Sequence, residues 1–484
     1  MIRQSGTNSR LEQDDVTTVS PGILASKKLS LRRIAQDAVY TESALLLLGT
    51  VLLSGLGALF WLCAAYSYSP EEVGVATALL AVLNLITSLS LLGFEITLVR
   101  YLAHRQDQLA LISTTFVVGA TASVAIGTAA LFIVPAFAPH LRVLHEPMFD
   151  VFFVLFCPIA VASFLIESSF IAIGKSRHVV SKNSIFSVLK IGLVFFFIPL
   201  GAAGIYMAWM LALGAAVLFS GRVLRRTVRL DGSFTPTLAA LEGLWSFSIY
   251  NYIAAFAEGL PIMILPLVVI SLYGRVASAQ YYMAMTVCGV VFLIAVAASQ
   301  SLFSSGSRSD HDFSIQMRKA GRFIGLLTLP AATLVFFFGS DALELLGPTY
   351  AAGTSGMLRC FAVSALPMAV GSVAAAALKV RKANADMVIT SALGAGAIIG
   401  LSFAFQPLGL TGIGLAWLVG QSLAALAMTV ALIRRTLAGR MRRSTEDRAS
   451  ADIGHLVGVP PDADVVRSPT TNSSRPPATR ERLS

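Results

Sequence analysis

Glu258 stands in the middle of a long apolar run and is followed by Pro261 and Pro266. A charged side chain near the centre of a bilayer costs about 2.5–3.5 kcal/mol on insertion scales, so each one there needs a partner or a task. The two prolines remove hydrogen bonds to the carbonyls of Ala257 and Ile262, which bends a helix beside the carboxylate. Glu258 reads either as a lumen acid that meets cargo or a proton, or as a cap for the freed backbone groups.

Glu167 and Lys190 lie on either side of a polar loop centred near residue 178. In an antiparallel hairpin this spacing places them at equal depth. They read as a neutralising buried ion pair, or as a lumen lysine for substrate phosphate with the carboxylate tuning it. Glu95 and Arg100 are five residues apart and off one helix stripe. Arg100 can snorkel to the interface, while Glu95 sits deeper, as a lumen residue or a proton acceptor. Asn84, Asn251 and Gln300 carry amides that could bind sugar hydroxyls or bridge helices. Cys63, Cys157, Cys288 and Cys360 fall singly in apolar runs without a histidine cluster, so neither a metal site nor a disulfide framework is expected, and nothing points to a cofactor.

The elements that must position these groups are membrane helices. The 484 residues are 56% hydrophobic and 13% charged, with a mean hydropathy of +0.75. A soluble chain carries about a quarter charged residues. Apolar spans are read near 44–66, 75–101, 109–134, 149–173, 183–199, 204–221, 244–270, 280–304, 323–340, 357–378, 387–405 and 410–433, most of them near the roughly 20 residues that cross a bilayer. The net charge of +10 is not a nucleic-acid footprint, because the basic residues sit in short loops between spans. Lys27, Arg105, Lys175, Arg225, Lys319, Lys379 and Arg434 exemplify one side, and the other offers only Arg142, Arg275 and Arg359. That bias places both termini in the cytoplasm.

The chain writes one stretch twice. Pro199-Leu-Gly-Ala-Ala-Gly-Ile-Tyr-Met-Ala-Trp209 returns as Pro407-Leu-Gly-Leu-Thr-Gly-Ile-Gly-Leu-Ala-Trp417, a spacing of 208 residues. Each copy reads as a Pro/Gly turn between two membrane helices, so the architecture is duplicated. The expected organisation is a cytoplasmic segment over 1–43, a six-helix lobe over 44–221, a cytoplasmic loop over 222–243, a second six-helix lobe over 244–435 and a disordered cytoplasmic tail over 436–484. The charges are not duplicated: by the roughly 204-residue offset of the first motif, Glu95 falls near Ser299 and Glu258 near Ser54. Small residues recur at four-residue intervals at Gly119, Ser123 and Gly127, and again at Ala392, Gly396 and Gly400, which reads as close helix packing.

Three further stretches carry a resemblance: Tyr68-Ser-Pro-Glu-Glu-Val-Gly-Val-Ala-Thr77, Leu92-Gly-Phe-Glu-Ile-Thr-Leu-Val-Arg100 and Ile173-Gly-Lys-Ser-Arg177. With the two Pro-Leu-Gly turns they resemble the Wzx-type O-antigen flippases, the polysaccharide branch of the multidrug/oligosaccharidyl-lipid/polysaccharide (MOP) superfamily, over roughly residues 40–435. The resemblance implies an all-α fold of about twelve transmembrane helices in two six-helix lobes, V-shaped about a lumen. It also implies alternating access and a polyprenyl-pyrophosphate-linked saccharide moved to the outer leaflet of a bacterial plasma (inner) membrane, for cell-surface polysaccharide such as lipopolysaccharide. Polysaccharide polymerase or assembly proteins are the partners that reading would bring. Lipid II flippases are relatives with typically fourteen spans.

Two other functions compete. A MATE-like drug/cation antiporter of the same superfamily needs acids, and Glu258 with Glu95 could serve. A membrane polysaccharide polymerase or ligase needs a sizeable outer loop, and the outer segments cluster only His140, Arg142 and His145. A transporter rather than an enzyme is therefore expected.

Overall fold

The fold is given by a computed structural model that describes residues 38–456 apart from 106, 145–146, 229–235, 242–244, 307–312 and 382. Every regular element among the described residues is helical. The first half consists of α1 (Ala38–Ser67), α2 (Pro70–Leu91), the short α3 (Phe94–Tyr101), α4 (Gln108–Phe137), α5 (Pro147–Ala172), α6 (Ser176–Phe196) and α7 (Gly201–Thr227). The second consists of α8 (Trp245–Tyr273), α9 (Arg275–Gly306), α10 (Phe313–Glu344), the one-turn α11 (Pro348–Ala351), α12 (Ser355–Val380), α13 (Asn384–Ala404) and α14 (Leu410–Leu456). Among the described residues, 11 helices are long and apolar enough to cross a membrane. The apolar stretch Leu52–Ser67 of α1 supplies a twelfth candidate. The chain is a multi-pass membrane protein.

The resembling motifs are turn and cap geometry. Ser69 caps α2 in a reciprocal box: its N–H donates to Glu72 Oε2 at 2.8 Å, and the Glu72 N–H donates to Ser69 Oγ at 3.3 Å. Pro70 takes the first helical turn, where a missing N–H costs nothing. The Tyr68 hydroxyl donates to the Val194 carbonyl at 2.6 Å and ties this corner to α6. Gly174, at φ +64°, ends α5, and the Lys175 N–H reaches back to the Phe170 carbonyl at 2.9 Å.

The repeated turn has one geometry in both copies. A 3₁₀ turn leads into Gly201 (φ 56°, ψ −134°) in the first and Gly409 (φ 62°, ψ −145°) in the second, a backbone region open essentially to glycine alone. Three residues on, a Cβ at Gly204 or Gly412 would lie 2.1 Å from the carbonyl oxygen of Phe197 or Phe405. The two Pro-Leu-Gly segments are therefore one hairpin used twice.

Several expectations are corrected. The span read over 75–101 is two helices, because Leu92 (φ 48°) and Gly93 (φ 81°) both turn left-handed and break it before Phe94. The stretch Gly119, Ser123 and Gly127 is packed, with Val161 and Cys157 pressed against the two glycines. Its counterpart Ala392, Gly396 and Gly400 is exposed, and among the described residues nothing lies within 4 Å of a Cβ at either glycine. Helix α14 continues to Leu456, into the segment expected as a disordered tail from 436. The compact body ends at Val430, and Ala431 onward forms a second unit. The segments before residue 38 and after 456 lie outside the described residues, as does His145.

Within the body, the halves meet along α2 and α9. A Cβ at Gly74 would lie 1.8 Å from the Arg275 carbonyl oxygen, so only glycine permits this approach. Ser278 Oγ donates to the Gly74 carbonyl at 3.1 Å and lies 3.4 Å from Thr77 Oγ1. Toward the other end of α2, the Tyr252 hydroxyl of α8 donates to the Ser88 carbonyl at 3.0 Å.

Candidate functional site

A cavity of about 600 Å³ opens inside the second half, between α8, α12, α13 and α14. Helix α8 contributes Glu258, exposed into this space, and Pro261; the helix runs unbroken through both prolines. Helix α12 lines it with Met368, Gly371, Ser372 and Ala375 and carries Lys379 in its last turn at one extremity. Ser391, Gly394 and Ile398 come from α13, and Trp417, Gln421 and Met428 from α14. Two wall groups, Ser391 Oγ and Trp417 Nε1, are buried without a hydrogen-bond partner among the described residues. A second cavity, near 40 Å³ between α2, α4 and α5, is too small for more than water.

The register of the two halves explains why this space is open. Helices α5 and α12 are both 26 residues long, and α6 and α13 both 21, at the spacing of the repeated turn. Glu167, Lys182, Phe186, Lys190 and Trp209 thus correspond to Ala375, Thr390, Gly394, Ile398 and Trp417. In the first half, Lys182 Nζ lies 2.8 Å from Glu167 Oε2, 2.9 Å from Ser163 Oγ and 3.1 Å from the Ser163 carbonyl. Lys190 Nζ is enclosed by the rings of Phe60, Phe186 and Trp209, at 5.1, 4.6 and 4.2 Å from their centroids. Large and charged side chains fill there what alanine and glycine leave open in the second half.

The ion pair expected between Glu167 and Lys190 does not form, because Lys182 takes the carboxylate. The α5–α6 turn centres on Gly174 rather than near 178, which moves the partner of Glu167 toward the turn by roughly two helical turns. Lys190 is 1% exposed and does not reach the cavity. Of the other candidates whose side chains are described, only Glu258 lines it. Asn84 is exposed on α2, and Asn251 is half-buried on α8. Glu95 is half-buried with Oε2 lacking a hydrogen-bond partner, on α3 within electrostatic reach of Tyr252. Arg100 is exposed, its guanidinium 5.4 Å from the Tyr101 ring centroid. The side chain of Gln300 lies outside the described residues, as does that of Arg142. Trp417, Gln421, Ser372, Ser391 and Lys379 line the cavity and were not among the sequence-predicted site residues.

No known family model matches the chain, and no curated protein does. Solved structures match over most of its length. An inward-facing multidrug resistance MATE family transporter of the MOP superfamily superposes with a TM-score of 0.61 at 16% identity, over 82% of this chain and 96% of that one. The lipid II flippase MurJ in an inward closed conformation gives 0.64 at 12% identity, over 80% and 86%. The fold is that of the MOP-type transporters. A MATE structure in complex with MaL6 matches at a TM-score of 0.55 and 16% identity, over 83% and 96%. At these identities the likeness carries the architecture and leaves the cargo to the site.

Proposed function

We propose that this protein is a flippase that carries a polyprenyl-pyrophosphate-linked oligosaccharide from the cytoplasmic to the outer leaflet of a bacterial inner membrane by alternating access. The observation that carries this reading is the composition of the cavity wall. Ser372, Gln421 and Glu258 supply polar groups on an otherwise largely apolar wall around about 600 Å³, with Lys379 at one extremity. By the positive-inside bias, the α12 end bearing Lys379 is cytoplasmic. A pyrophosphate at the interface would meet that ammonium, the sugars would enter the cavity, and the polyprenyl chain would stay in lipid. Glu258, deeper in the wall, accepts hydrogen bonds from sugar hydroxyls. Oligosaccharide delivered this way would pass to an extracytoplasmic polymerase or assembly protein.

The exposed Glu258 carboxylate favours a second reading, a MATE-like antiporter exchanging an organic cation against protons or sodium. Reconstitution separates the two. Proteoliposomes with a fluorescent lipid-linked saccharide should expose it on the opposite leaflet, with no uptake of organic cations on an imposed gradient. Cation exchange without flipping would sink the flippase reading and leave the antiporter.

A further inference from the structure

We infer that Lys190 is a positioning residue of the transport cycle, whose ammonium sets the contact through which α9 of the second half docks on α1 of the first. Lys190 is fully buried, and among the described residues no carboxylate lies within ion-pair distance of it. Three rings from three helices enclose it: Phe60 of α1, Phe186 of its own α6 and Trp209 of α7. An ammonium withdrawn from water is drawn to ring faces, so the charge holds these helices at one spacing.

The box does not end at its own walls. Trp209 packs edge-on against Phe60 at 5.4 Å, and Phe60 against Trp61 at 5.1 Å. The Trp61 ring lies 6.2 Å from Trp209 and 4.6 Å from Tyr282, which belongs to α9. Tyr282 stands one turn beyond Ser278, and Ser278 is locked to Gly74 in the tightest approach between the halves. A continuous set of aromatic contacts therefore runs from Lys190 to the seam. The second half has Ile398 at the equivalent position, so this device belongs to the first half alone.

The inference rests on the transport reading only in taking this seam to open during a cycle. Its test uses the full-length protein in proteoliposomes without cargo, with Cys63, Cys157, Cys288 and Cys360 replaced by alanine and Ser278→Cys as reporter. The rate of labelling by a membrane-impermeant maleimide reads seam opening. Lys190→Met should raise it about tenfold, as expected for loss of a desolvated cation–ring cluster, and Lys190→Arg should stay near the parent. Lys190→Met should add nothing once Tyr282→Leu is present, because both act through one contact. An unchanged rate in Lys190→Met, or effects that multiply in the double variant, would overturn the inference. Should Lys190→Met fail to accumulate, Phe60→Leu opens the same box from α1 and is judged by the same two criteria. Because no cargo is present, a negative result here leaves the transport reading standing.

Discussion

Trp209 and Trp417 occupy the same position in two copies of one hairpin, and they face opposite fillings. Trp209 lies 4.2 Å from the Lys190 ammonium in a closed box, whereas Trp417 forms part of the wall of the open cavity. Duplication set the backbone, and divergence at Lys190/Ile398, Phe186/Gly394 and Glu167/Ala375 decided which half holds the space.

The first prediction concerns the filled half. Glu167→Ala leaves the Lys182 ammonium buried with only Ser163 for company. Removing one partner of a buried pair costs about 3–5 kcal/mol, and the partial exposure of Glu167 should bring this nearer 2 kcal/mol. Thermal unfolding in detergent should show the loss, and Glu167→Leu with Lys182→Met should recover most of it. Strong coupling of Glu167→Ala to Lys190→Met, rather than simple additivity, would mean that Lys182 is not the true partner.

The second concerns the duplicated turn. Gly201→Ala and Gly409→Ala both force a side chain into a glycine-only backbone region, at about 1–3 kcal/mol each. A Cβ at Gly201 also meets Glu72 Oε1 at 2.7 Å, while Gly409 faces open space. Membrane abundance should therefore fall further for Gly201→Ala. Equal losses would show that the contact with the α2 cap carries no weight.

The third separates the two small-residue stretches. Gly119→Leu should strongly reduce abundance, since Val161 would lie 2.9 Å from its Cβ, and Gly396→Leu should be tolerated. Fluorescence-detected size exclusion of the two variants gives the answer directly, and a tolerated Gly119→Leu would contradict the packing described.

The span count and the duplication were legible because each rests on a long or repeated signal. Twelve apolar runs and an eleven-residue repeat survive boundary errors of several residues. The Glu167 partner did not, because pairing across a hairpin depends on where the turn falls, and the turn at Gly174 moves the partner from Lys190 to Lys182. Lys379 was read as a topology-setting loop cation, and its place in the cavity wall depends on how α12 is rotated. The break at Leu92 was hidden by an apolar residue in a left-handed conformation that composition does not signal. Ser372 illustrates another limit: its hydroxyl donates to the Met368 carbonyl within the helix, as many membrane serines do, yet its position also lines the cavity.

Filling the cavity tests the central claim most directly. Ala255→Phe and Ser372→Leu add bulk at the wall, and Phe337→Leu, at a position 65% exposed and outside the cavity, serves as control. The measurement is the fraction of lipid-linked saccharide that reaches the opposite leaflet of proteoliposomes, normalised to folded protein. The account predicts loss of flipping to the protein-free background in both filled variants and wild-type flipping in the control. Wild-type flipping by a folded protein with both substitutions would place the cargo elsewhere and contradict it.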